Sequence, residues 1–63
     1  MFEIGDLVEI VDGKYYYVRE GITGRIVRII EHRDLYDVQL ENGKEYVVGE
    51  GILSFFNEEL ILK

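Results

Sequence analysis

The sequence predicts a small all-β domain: a strongly bent, five-stranded antiparallel sheet with a short 3-10 turn before its last strand. Two glycine-punctuated signals and one clean alternation point to it. Gly21-Ile22-Thr23-Gly24 opens the apolar run Arg25-Ile26-Val27-Arg28-Ile29-Ile30. Asn42-Gly43 separates Tyr36-Asp37-Val38-Gln39-Leu40 from Glu45-Tyr46-Val47-Val48. Each signal marks a place where the chain must turn and leave again as a strand. The segment 36–40 alternates apolar and polar residues, the period-2 pattern of a strand with one buried face.

The elements follow in order. Residues 6–12 read as the first strand, with Val8 and Ile10 on one face and Leu7, Glu9 and Val11 on the other. Phe2 and Ile4 keep the parity of Val8 and Ile10, so they are expected to lie against the sheet as a lid or short extension. Residues 13–23 form a long, aromatic excursion closed by Gly21 and Gly24. The second strand spans about 24–31, and its parity is broken: Ile26 and Ile29 cannot share a face in regular pleating. A β-bulge near Val27-Arg28 adds one residue, bends the strand and reconciles the two. His32-Arg33-Asp34-Leu35 reads as a turn, and residues 36–40 as the third strand, with Tyr36, Val38 and Leu40 inward.

Two hairpin registers are open after that strand. A two-residue turn at Asn42-Gly43 sets Leu40 beside Glu45 and Val38 beside Val47. A three-residue loop, Glu41-Asn42-Gly43, pairs Val38 with Tyr46 and Tyr36 with Val48. The second keeps charge off the apolar face and is preferred. Gly49-Glu50-Gly51 interrupts the fourth strand, which continues through Ile52-Leu53-Ser54-Phe55-Phe56. Asn57-Glu58-Glu59 reads as a 3-10 turn with Asn57 as its cap and two acids at its positive end. It delivers Leu60-Ile61-Leu62 as the last strand.

Size and composition bound the rest. Sixty-three residues make one domain, 1–63. A chain of this length buries only about 60% of its unfolded surface, so small folds usually recruit a disulfide, a metal or a second subunit. Cysteine is absent and histidine occurs once, which removes a disulfide and leaves no zinc-type ligand set. Acids number 13 and bases 7, a net charge of −6. Generic nucleic-acid binding rests on basic side chains displacing counterions from phosphate, so this balance disfavours it. The charge is uneven: residues 1–34 carry seven acids and five bases, residues 35–63 six acids and two bases. Arg19, Arg25, Arg28 and Arg33 all fall in the first part and could form a local basic patch. The start of the chain has neither a basic cluster nor a long apolar stretch, and no run reaches the roughly 18 apolar residues of a membrane span. The expectation is a soluble cytoplasmic protein.

In the order given, Gly5-Asp6-Leu7-Val8-Glu9-Ile10, Gly21-Ile22-Thr23-Gly24-Arg25-Ile26-Val27 and Tyr36-Asp37-Val38-Gln39-Leu40-Glu41-Asn42-Gly43 resemble the small Src-homology-3-like barrels, and within them the KOW-type. Asn57-Glu58-Glu59-Leu60 is similar to the turn that precedes the last strand of such barrels. The resemblance covers nearly the whole chain and is one of fold. It implies no specific function, although KOW-type members commonly contact nucleic acid through basic loop positions. The chain departs from a minimal barrel by a surplus of residues near 49–54.

Catalytic, metal and cofactor sites are not expected. Ser54 and Thr23 have no neighbouring base in the sequence, and His32, between Glu31 and Arg33, falls in a turn. Asp6, Glu9 and Asp12 lack the spacing of a calcium loop. The glycines are not followed by the lysine and hydroxyl of a phosphate loop. The aromatic residues are more informative. Tyr15, Tyr16 and Tyr17 would alternate faces in an extended segment, leaving at least one exposed, and tyrosine suits protein interfaces. Phe55 and Phe56 point to opposite faces, so one is core and the other needs a cover. The expected role is a non-enzymatic protein-binding or regulatory module presenting Tyr15, Tyr16, Tyr17 and one of Phe55 or Phe56. The alternatives are a nucleic-acid-associated barrel using Arg19, Arg25, Arg28 and Arg33, or an acidic mimic of nucleic acid. A homodimer is compatible with each.

Overall fold

The computed structural model describes residues 1–12, 21–43 and 49–63. The described strands are β1 (Leu7–Ile10), β2 (Thr23–Ile30), β3 (Leu35–Leu40), β4 (Ile52–Phe56) and β5 (Leu60–Leu62). Two 3-10 turns, Glu31–Arg33 and Asn57–Glu59, link β2 to β3 and β4 to β5. The strands form one antiparallel sheet in the order β4-β3-β2-β1-β5. That is the bent, five-stranded arrangement of a small Src-homology-3-like barrel, with the 3-10 turn before the last strand in its expected place. Among the described residues no ladder joins β4 to β5, so hydrogen bonds do not close the sheet.

Alternation decides what goes inside. Val8 and Ile10 of β1, Ile26 of β2, Tyr36, Val38 and Leu40 of β3, Leu53 and Phe55 of β4 and Leu60 of β5 form one buried cluster. Phe2, Ile22 and Ile29 pack against it. Phe2 meets Tyr36 edge to face, with ring centroids 5.2 Å apart and planes at 80°, a geometry worth about 0.5–1.5 kcal/mol beyond area burial. Phe2 is thus the lid its parity implied, whereas Ile4 points to solvent. A turn at residues 3–6 explains the difference. The Asp6 carboxylate accepts the Glu3 N–H at 2.8 Å, and the Gly5 N–H donates to the Ile26 carbonyl at 2.8 Å.

The β-bulge lies where the broken parity put it. Ile26 pairs with Val38, Arg28 with Asp37 and Ile29 with Tyr36, so Val27 is the extra residue. Both Ile26 and Ile29 therefore face the core, and Val27 is left exposed. At the near end of β2, Gly24 is needed for close packing rather than for a turn. A Cβ there would stand 2.5 Å from the Gln39 carbonyl oxygen and 2.7 Å from Val38 Cγ1. The excursion after β1 is closed instead by Gly21 and Ile22: the Gly21 N–H donates to the Ile10 carbonyl at 2.8 Å, and the Ile10 N–H to the Ile22 carbonyl at 2.9 Å.

Both hairpin registers expected after β3 are overturned. Val38 pairs with Leu53 and Tyr36 with Phe55, so β3 takes Ile52–Phe56 as its partner. The other edge of β3 is filled by β2. Asn42-Gly43 does turn the chain, but it starts a longer connection to β4 rather than a tight hairpin. The physical reason is core volume: this register sets Leu53 and Phe55 opposite Val38 and Tyr36 inside the sheet. A neck closes the connection. The Leu40 N–H donates to the Gly51 carbonyl at 3.1 Å, and Gly43 lies so close to the Gly51 backbone that a Cβ would overlap it. Residues 44–48 lie outside the described residues.

The cap of the last turn also differs from expectation. Asn57 makes no side-chain cap; the capping position is Phe56, whose N–H donates to Glu59 Oε1 at 2.7 Å. Glu59 is buried by this contact. Its carbonyl accepts the Val11 N–H at 2.9 Å, which ties the turn to the end of β1.

Candidate functional site

With one face of the sheet committed to the core, the opposite face is where a contact surface can form. Register and parity assign its rows. Ile30, Leu35 and Phe56 stand side by side on β2, β3 and β4 at the end nearest the 3-10 turns. The next row is Arg28, Asp37 and Ser54, and the third is Leu7, Arg25, Gln39 and Ile52. Rows on one face are two residues apart, about 7 Å along the strands.

The first row is apolar and incompletely covered. Phe56 is 41% exposed, Ile30 and Leu35 are half-buried, and Val27 at the bulge is 40% exposed. Phe55 is wholly buried, so of the two adjacent phenylalanines Phe55 is the core residue and Phe56 the surface one.

The second row is polar, and the third mixes Arg25 and Gln39 with the half-buried Leu7 and Ile52. Ser54 Oγ donates to Asp37 Oδ1 at 2.5 Å. Gln39 Nε2 donates to the Glu50 carbonyl. Arg25 Nη1 donates to the Gly5 carbonyl at 3.0 Å, which fixes this guanidinium over the turn at residues 3–6. At the β1–β5 edge, Lys63 Nζ and Glu9 Oε1 are 3.0 Å apart. This pair is largely solvated and contributes well under about 1 kcal/mol.

Of the four arginines considered for a nucleic-acid patch, Arg25 and Arg28 share this face, and Arg33 is exposed on the turn after β2. Arg28 stands across from Asp37. The local field is therefore mixed rather than basic. Arg19, with Tyr15, Tyr16 and Tyr17, lies outside the described residues. His32 is exposed on the 3-10 turn Glu31–Arg33. Among the described residues no group of three or more metal-ligating side chains comes together, and no helix is long and apolar enough to cross a membrane.

The sequence reading missed two contacts. The bond between Asp37 and Ser54 requires knowing that β4 rather than 45–48 pairs with β3. Glu59 as a buried acceptor was legible in principle, since an acid three residues after the capping position is a known capping pattern.

These observations define the class: a small antiparallel barrel of five strands. No protein-family model matches the chain, and no curated protein matches it. Among solved structures it is similar to a chain in the crystal structure of the MjSpt4:Spt5 complex, conformation B. The TM-score is 0.75 and the identity 22%, over 98% of this chain and 37% of that one. The chain thus spans little more than a third of the length of the solved chain it matches. The likeness is one of fold, and it agrees with the resemblance to KOW-type barrels drawn from the sequence.

Proposed function

We propose that this chain is a non-enzymatic binding module that works through protein–protein contact and acts in the cytoplasm. The observation that carries this reading is the outward row Ile30, Leu35 and Phe56, an apolar strip beside the polar row Arg28, Asp37 and Ser54. Exposed apolar strips rimmed by polar residues mark contact sites more often than isolated exposed side chains do. Tyr15, Tyr16 and Tyr17 are the second part of the proposed surface. The similar solved chain was crystallised in an Spt4:Spt5 complex, which supports a protein as the kind of partner.

Charge supports the same choice. The net charge is −6, Arg25 is bonded to the Gly5 carbonyl and Arg28 faces Asp37. None of these favours a phosphate backbone. For catalysis, the Ser54 hydroxyl is bonded to Asp37 within a polar row of the sheet, an arrangement that suits structure better than nucleophilic attack.

The test is a capture experiment comparing wild type, Phe56→Lys and Tyr16→Ala, run beside titrations of labelled RNA and DNA at low salt. Loss of specific protein capture in either variant, with no nucleic-acid binding, is the expected result. Identical capture by all three proteins, or salt-sensitive nucleic-acid affinity, would overturn the reading.

A further inference from the structure

The turn after β3 carries a chemistry that the outer face does not use. The chain holds two asparagines, Asn42 and Asn57, and both are exposed. What differs is the residue that follows. Glu58 follows Asn57, whose N–H donates to the Asp34 carbonyl at 3.2 Å and whose carbonyl accepts the Leu60 N–H. Gly43 follows Asn42. Glycine has no side chain to obstruct its own nitrogen, and its backbone turns freely. An exposed asparagine before glycine can therefore bring its carboxamide carbon onto the next backbone nitrogen, the basis of the thermal lability of asparagine.

The reaction needs only water. The Gly43 nitrogen bonds to Asn42 Cγ, and the Cγ–Nδ2 bond breaks. The proton of the Gly43 N–H leaves with the departing amino group as ammonia, and a cyclic imide remains. Water then opens the ring. Addition at Cγ gives aspartate. Addition at the backbone carbonyl carbon gives isoaspartate, whose main chain runs through Cβ and Cγ and is longer by a methylene. Either product makes the net charge of −6 more negative.

The place of Asn42 gives the extra methylene a consequence, because the chain is anchored on both sides of it. Before it, the Leu40 N–H donates to the Gly51 carbonyl at 3.1 Å and the Glu41 N–H to the Thr23 carbonyl at 3.0 Å. After it, Gly43 is buried against the Gly51 backbone with no room for a Cβ. A longer main chain between these anchors cannot be taken up by moving Gly43 onto Gly51, so it must lift an anchor instead.

We propose that Asn42 is a modification site at which the chain deamidates through its own neighbour, and that the isoaspartate form loosens the neck between β3 and β4. The device is a one-way timer, independent of the protein-contact reading of the outer face.

The full chain is aged at physiological temperature in mildly acidic and mildly alkaline buffers, beside Asn42→Gln, whose longer side chain closes this ring poorly. Peptide mapping by mass spectrometry locates the exchange of an amino group for a hydroxyl. The mass gain is expected in the peptide of Asn42 before any appears in that of Asn57, faster in the alkaline buffer and absent at position 42 of Asn42→Gln. Asp12-Gly13 can close the same ring, but it loses and regains water and so adds no mass. The neck is read by hydrogen exchange at the Leu40 amide, with the Ile10 amide as reference. The isolated isoaspartate form should exchange faster at Leu40 than unaged protein and than Asn42→Asp, which carries the charge without the methylene. Conversion at Asn42 no faster than at Asn57 overturns the site. Leu40 exchange equal in the isoaspartate form and Asn42→Asp, or a change shared equally by Ile10, overturns the effect on the neck.

Discussion

At the scale of single residues, neighbours in sequence have opposite tasks. Phe55 is wholly buried and Phe56 is 41% exposed. Phe55→Ala should cost about 3–5 kcal/mol, most of the stability available to a domain of this size. Phe56→Ser should cost clearly less, about 1 kcal/mol. Urea denaturation of the two variants checks this, and equal losses would contradict the placement of the two rings. Gly24 offers a second contrast. Its missing Cβ would meet the Gln39 carbonyl, a backbone atom that cannot swing aside. Gly24→Ala should therefore lower stability by about 1–3 kcal/mol, as overpacking does. A denaturation midpoint equal to that of wild type would show that β2 and β3 can separate at little cost.

At the scale of elements, the bulge is the test case. Val27 lets Ile26 and Ile29 face the core together. Deleting Val27 would leave Ile26, Arg28, Ile29 and Ile30 opposite Val38, Asp37, Tyr36 and Leu35 in regular pleating, so Ile26 and Ile29 keep the core and only the bend is lost. The deletion variant should therefore keep a cooperative thermal transition, at a lower midpoint than wild type. Loss of the cooperative transition would show that the bend itself, and not only the alignment of faces, is required. This element was legible in the sequence because a broken parity has few remedies. The β3–β4 pairing was not legible. Asn42-Gly43 is a local signal, and it correctly marks a turn. Which strand then fills the edge of β3 is a global competition, decided by Leu53 and Phe55 fitting opposite Val38 and Tyr36. Of the candidate surface, the division between Phe55 and Phe56 followed from parity alone. The row that joins Phe56 to Ile30 and Leu35 could not be seen until the register of β4 was known.

At the scale of the whole molecule, charge and architecture give separate information. The likeness to a solved chain at TM-score 0.75 and 22% identity concerns the path of the backbone. The charge of −6 belongs to this sequence and governs which partners approach it. Raising salt should therefore leave the fold intact while strengthening any self-association limited by net repulsion. Sedimentation at about 50 mM and about 500 mM salt checks this, and self-association that weakens as salt rises would contradict it.

The neck between Gly43 and Gly51 has a consequence for how such a chain can change over time. The two glycines hold the ends of an excursion together by backbone contact, so the sheet registers where the chain leaves and returns, not the distance travelled between. Loop-closure entropy rises by only about 0.6 kcal/mol for each doubling of length. Inserting four Gly-Ser residues between Tyr46 and Val47 should therefore shift the urea midpoint only slightly, whereas Gly51→Val should unfold the protein. The neck makes this position a docking port in the gene, where new sequence can be added and tried without re-solving the fold.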